Sequence, residues 1–494
     1  MSSNKNWLND LFINEAKAVG SKCGGGVTDK QIGEAVDKYL EENPIDVSEG
    51  SGTVESGENS HAEGINTTAS GKAAHAEGLN CIAAAEGSHA EGANTTVSEM
   101  ATYAHVEGLN TTANGGTGAH AEGDSTTARG RASHAEGDST TSYGKFSHAE
   151  GKSSFAYSDG SHAEGCETRT NNSYSHAEGY KTITNGYASH AEGGESKTRE
   201  DASYSHAEGY KTEAYGSYSH AEGNETYAYD GSSHAEGYKT KTYGYASHAE
   251  GGESKTGEDA SYSHAEGYKT EAYGSYSHTE GYNTSATETS AHAEGDETEA
   301  SGRASHAEGD NTIASGEAAH AEGYGSKATY DYCHAEGNGC EASGYASHAE
   351  GDNTIASGEA AHAEGSSTTA SGDYSHAEGG DSTEASGSFS HAEGCYTKAS
   401  GECAHAEGEG TIAAGRSQHV QGMWNIEDTE DQYLHIVGNG ENGARSNAHT
   451  LDWEGNAWYA GTVESAGLIL KSSAGYRFQV VVNDNGSLVV TRIY

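Results

Sequence analysis

The chain has 494 residues, of which only 32% are hydrophobic, with 70 Gly, a single Pro and a formal net charge of −49. That composition excludes a string of ordinary globular domains, and the acidic excess excludes a nucleic-acid or anionic-membrane partner. No apolar run approaches the ~18 residues of a membrane span, the N-terminus lacks a signal-peptide pattern, and seven Cys without paired spacing specify neither a disulfide framework nor a zinc site.

Residues 1–56 differ from all that follows. Trp7, Leu8, Leu11 and Phe12 form one helical stripe, and Gly24 to Gly26 break it. Thr28 with Gln31 makes a capping box for a second stripe, Ile32, Ala35, Val36, Tyr39 and Leu40, which Pro44 ends. Two short helices with one apolar face each need partners. The segment is expected to attach and trimerise the chain.

Residues 57–422 are an array. His-Ala-Glu-Gly or a close variant occurs 26 times from His61 to His419, and 20 of the 25 spacings are 14 residues. Residues 189–220 recur at 247–278 with one change, Arg199 against Gly257. Stacked repeats share one core, so the period overrides the compositional signal for disorder. Two extended segments per repeat, each ending near a Gly that supplies a left-handed corner, predict a narrow coil. Alternation within Ser133-His134-Ala135-Glu136-Gly137 turns Ser133, Ala135 and Gly137 inward and His134 and Glu136 outward. At the strand spacing of about 4.8 Å per repeat the array is expected to reach on the order of 120 Å. The three 16-residue spacings, ending at His105, His206 and His264, should place small loops on one edge.

Residues 423–494 change character again, with three of the four Trp. Gly455-Asn456 and Asn485-Gly486 are turn signals between short strands, which predicts a small β-rich cap or tip domain.

The outward columns are the first candidate site. His61 with Glu63, His134 with Glu136, His248 with Glu250 and His405 with Glu407 sample a ladder of alternating imidazole and carboxylate. Stacked carboxylates repel, and interleaved His relieves this by donating to Glu. A His stabilised as a cation there would have a raised pKa and stability greatest at low pH. Copies this numerous read as scaffold, so the expectation is no enzyme, no cofactor and no metal. Trp424, Trp453, Trp458 and Tyr459 are the candidate receptor surface. Eighteen of the 31 Tyr fall between Tyr157 and Tyr282, where they cover the coil or grip a polymer such as carbohydrate. Asp452 and Glu454, beside a turn, are the residues to watch for self-cleavage.

The Ser-x-Ala-x-Gly pattern repeated every 14 residues resembles the head repeat of YadA-type trimeric autotransporter adhesins. The resemblance implies a trimeric, left-handed parallel β-roll, with His and Glu standing where that family places mostly apolar residues. Asn425 to Thr429, His435 to Gly440 and Arg445 to Trp453 resemble the region after such arrays in phage and prophage tail proteins of Gram-positive hosts, some of which carry a self-cleaving peptidase G2-type chaperone. Together these imply an all-β trimeric β-solenoid with short N-terminal helices and a small C-terminal domain. The implied role is a tail fibre that holds a tail or baseplate protein at its N-terminus and meets host cell-surface carbohydrate or protein at its tip. Its place would be the virion tail, extracellular once assembled and without membrane insertion. A surface adhesin and a self-processing tail protein are the alternatives.

Overall fold

A computed structural model describes residues 52–462 and 468–493, and no helix occurs among them. The two helices expected before Pro44 lie outside the described residues. The chain divides into two compact units, Met1–Ala307 and Glu308–Tyr494.

In the first unit every repeat is one coil of a parallel β-solenoid. A five-residue strand, such as His206–Tyr210, carries the repeat motif, and a two-residue strand, such as Glu213–Ala214, follows it. Each pairs in parallel with the same positions one coil on: His206 with His220, Ala207 with Ala221, Glu213 with Tyr227. The corners are bonded too. Lys211 N–H donates to Gly194 O at 2.7 Å and Tyr218 N–H to Ser203 O at 2.9 Å. Almost no backbone group is left over, which is how a chain this polar can fold.

The core is built from the smallest side chains. Counting from His, the second, seventh, ninth and fourteenth positions point inward. In one coil these are Ala207, Thr212, Ala214 and Ser219, all 0–1% exposed. Ser219 Oγ donates to Gly216 O at 2.6 Å, which satisfies a buried hydroxyl inside its own coil.

The corners follow a rule other than the expected one. The fourth-position Gly is left-handed, with φ +118° at Gly209, and a Cβ there would collide with the carbonyl oxygen of Gly223 in the next coil. The second Gly of the repeat, Gly216, is not left-handed; it is required because a Cβ would strike the backbone of Asp230. The remaining left-handed corners fall on the sixth and thirteenth residues, Lys211 (φ 55°) and Tyr218 (φ 61°). Backbone hydrogen bonds to both neighbouring coils over-determine those conformations.

The long spacings behave as the sequence implies. The extra residues form a turn after the short strand, closed by Ala202 N–H donating to Arg199 O at 3.1 Å, and His190 still pairs with His206.

The second unit repeats the coil from His320–Tyr324 to His419–Met423 and continues past the last repeat motif. Tyr433–Asn439 pairs in parallel with His419–Met423, placing His435 beside His419 and Ile436 beside Val420. Asn447–Asp452 and Ala457–Tyr459 then add antiparallel. A separate three-stranded antiparallel sheet comprises Leu468–Lys471, Arg477–Val482 and Leu488–Ile493. Its Leu470, Val482, Leu488 and Val490 are all exposed in the single chain.

Candidate functional site: a stacked histidine–glutamate face

The five-residue strands present His and Glu on one outer face. Parallel in-register pairing puts like on like, so imidazoles stack on imidazoles. In the first unit ring centroids are 4.7 Å apart for His134 and His148 and 4.6 Å for His220 and His234, with the ring planes nearly parallel. In the second unit His348 and His362 stack at 4.7 Å.

Most of these His also face the Glu two residues on. His134 Nε2 lies 3.8 Å from Glu136 Oε2, and His248 Nε2 lies 3.9 Å from Glu250 Oε2. His61 is the more exposed end of the column, 3.8 Å from Glu63 and 3.2 Å from Glu55. In the later coils of the second unit the pairing crosses between coils. His405 reaches Glu393 at 3.9 Å, and Glu407 is met by His419 at 3.6 Å.

Except for His61–Glu55, these distances of 3.6–3.9 Å exceed a hydrogen bond. The Nε2 atoms of His75, His89, His105, His120 and His134 are shielded by the stack and make no hydrogen bond within the chain. A buried nitrogen without an acceptor in the chain, repeated on these rungs, is the main unsatisfied feature of this surface.

The expectation of raised His pKa is overturned. Burial, then the neighbouring imidazoles, hold His120, His206, His220, His234 and His248 below the ordinary value. His176, between His162 and His190, is lowered to about 4. Stacking at 4.7 Å removes water from the ring faces and would set cation against cation, which outweighs attraction to the more exposed Glu carboxylates. These six rings are therefore neutral imidazole at pH 7.

Glu364, Glu378 and Glu393 line an open groove with Gly365, Gly379 and Gly394. Hydrogen bonds to Glu364 and then Glu393 raise the middle carboxyl, Glu378, to about 7, while those same bonds lower both outer ones. One proton shared along the row relieves the repulsion of stacked carboxylates.

Sets such as His89, Glu91 and His105 bring three potential metal-ligand atoms within 4.8 Å of one another. Zn–N bonds of about 2.0–2.1 Å would require two stacked rings to tilt together.

The structure divides the four aromatic residues expected to form a receptor surface. Trp424 is the sixth-position corner of its coil, 5.1 Å from the Arg445 guanidinium, and its indole N–H points to Glu409 at 3.4 Å. Trp453, Trp458 and Tyr459 lie on the antiparallel strands and the turn between them, each about half exposed. The Tyr459 ring packs tilted against His449, centroids 4.6 Å apart. Asp452 is occupied as a turn acceptor for the backbone N–H groups of Glu454 and Asn456.

Sequence reading missed the plug at the end of the array. Gln418, Asn425 and Asp428 are buried polar residues. Asn425 fills a seventh-position slot and both accepts from and donates to the Ile412 backbone. The signal was available, since Gln418 stands where the repeat carries Ser, Ala or, once, Cys, and Asn425 where it carries Thr, Ser or Cys.

The six described Cys are free. Cys81 and Cys340 take the buried seventh position, and each thiol donates to a glycine carbonyl of the next coil at 3.2 and 3.3 Å. Compared with known proteins, the chain matches no family model and no curated protein.

Proposed function

We propose that this chain is the shaft-forming subunit of a homotrimeric fibre, of the kind carried by phage and prophage tails, with its C-terminal end turned toward a host surface. The observation that carries the reading is the His–Glu face. Apart from the inward Ala and the close-packed Gly, other positions vary from coil to coil, whereas this outward face keeps its two residue types through nearly all of the 26 repeats. A surface that constant fits a partner of the same period, and another copy of the chain has that period. Stacked imidazoles beside a carboxylate column would pack against the matching columns of a neighbouring copy. The exposed Leu488 and Val490 of the C-terminal sheet, an apolar surface with no cover in one chain, fit the same assembly. Attachment falls to residues 1–56, and receptor contact to the region of Trp453, Trp458 and Tyr459.

Light scattering on the purified chain, with the intact mass of the denatured chain, tests this. Three copies of an uncleaved 51.0 kDa chain are expected. A monomer would remove the shared-seam argument. A trimer of shortened chains would favour the self-processing alternative.

A further inference from the structure

One corner of the solenoid in the first unit carries a second, longer period. At the fifth position, coils alternate between a large aromatic and a small residue: Tyr180 is in register with Gly194, Gly194 with Tyr210, Tyr210 with Asn224, and so on through Tyr238, Gly252 and Tyr268. At the sixth position Lys follows each of these Tyr, and Glu occupies the coils between. Successive His rings in this stretch are 4.6–4.8 Å apart. The Tyr–Lys unit therefore repeats every two coils, about 9.5 Å.

Each unit is built as a platform. A Cβ added to Gly194 would lie 3.1 Å from the Tyr210 ring, and one added to Gly252 would lie 2.9 Å from that of Tyr268. The Tyr210 and Tyr268 rings thus lie over the glycine of the preceding coil, Tyr180 and Tyr238 follow Cys166 and Asn224, Tyr268 also stacks on Tyr282 at 5.6 Å, and the four tyrosines are 41–46% exposed. The following ammonium sits 4.9–5.2 Å from each ring centroid. The opposite corner differs. Its exposed tyrosines come in adjacent pairs stacked on one another, Tyr204 on Tyr218 at 5.2 Å and Tyr262 on Tyr276 at 5.3 Å, so they spend ring faces on each other.

We propose that the Tyr180–Tyr268 corner binds a linear, uncharged polysaccharide, with successive Tyr rings stacking on the same sugar of successive disaccharides. A flat ring accepts the apolar face of a pyranose, and nearby charged groups hydrogen-bond its hydroxyls. The two-coil period is close to the length of a disaccharide in an extended β-1,4-linked chain. Charge selects the class of glycan. Lys181, Lys211 and Lys239 alternate with Glu195, Glu225 and Glu253, so the corner is balanced, and a protein of net charge −49 repels polyanions. Each Tyr ends the strand whose first and third residues are the His and Glu of that face, so the corner borders it.

The test is calorimetric titration of the full chain with chitohexaose and cellohexaose, alongside the corresponding disaccharides and a carboxylated polymer, hyaluronan. At least one hexasaccharide should bind, about tenfold or more tighter than its disaccharide, because it reaches more than one platform. Replacing all four tyrosines (Y180A, Y210A, Y238A, Y268A) should weaken binding at least tenfold, and Y210A with Y238A alone should give an intermediate loss. Replacing Tyr204, Tyr218, Tyr262 and Tyr276 by Ala should leave binding unchanged. The proposal is overturned if neither hexasaccharide binds, if the disaccharide binds equally well, if hyaluronan is preferred, or if the two four-site variants behave alike.

Discussion

The side-chain amide of Gln418 donates to Asp428 Oδ2 at 3.0 Å in the buried end of the solenoid. The same nitrogen donates to Tyr433 O at 2.9 Å, and the Gln418 carbonyl accepts from Ala414 N–H at 3.0 Å and Gly415 N–H. The other Asp428 contact closes the ring, since Oδ2 also accepts from Tyr433 N–H at 2.8 Å. Where the repeat stops and the chain detours from Asn425 to Tyr433, these side chains take over bonds that another coil would have made.

Asp428→Ala should therefore destabilise the C-terminal coils. It removes the acceptor for both Gln418 and Tyr433 N–H in a site from which water is largely excluded, a loss of about 1–3 kcal/mol. Hydrogen exchange should show lost protection around residues 412–437 while coils of the first unit keep theirs. Unchanged protection would mean the plug is ornamental.

Acid should weaken the fold. A His with a folded pKa below 6.5 binds fewer protons than the unfolded chain, so its contribution is complete above that value and is lost as pH falls toward the folded one, about 4 at His176. The lowered column includes His89, His334, His348, His362 and His391. Glu of the same and adjoining coils face these rings and pull the other way, but burial and the neighbouring imidazoles prevail. Glu378, raised to about 7, also opposes, since its contribution is present at low pH and fades as pH rises through 7. Melting temperature should fall between pH 6.5 and 4. A rise over that window would reverse the assignment.

Two glycines one coil apart should respond differently to the same change. Gly209→Ala puts a side chain into the Gly223 carbonyl at φ +118°. It should destabilise the coil by about 1–3 kcal/mol or more. Gly231→Ala meets its nearest atoms at 3.4–3.5 Å, ordinary contact, and should stay within about 0.5 kcal/mol. Chemical denaturation of both variants checks the contrast.

The core should tolerate width of one kind only. Its second position holds Ala in most coils but Val at Val106 and Val420, each fully buried. Ala221→Leu adds volume where the sheets cannot separate without breaking ladders on both sides, and should cost about 1–3 kcal/mol. Ala221→Val should cost less. Equal melting temperatures for the two would contradict a close-packed interior.

The sequence by itself determined the coil. A His every 14 residues, small residues at alternating positions and Gly after Glu admit one solution, because parallel strands a fixed distance apart must put each residue on its own copy. Hence the inward Ala135, the outward His134 and Glu136 and the inserted turns were all legible. What the sequence did not reveal depends on neighbours it does not list together. The protonation of His176 is set by its burial and then by the rings at positions 162 and 190, and the left-handed corners at Lys211 and Tyr218 by hydrogen bonds to coils on either side. The Gln418–Asp428 plug likewise forms only where the chain runs out of repeats. Local pattern decides which way a side chain points. Burial, close approach and shared hydrogen bonds, which exist only once coils are stacked, decide its charge, its strain and its partner.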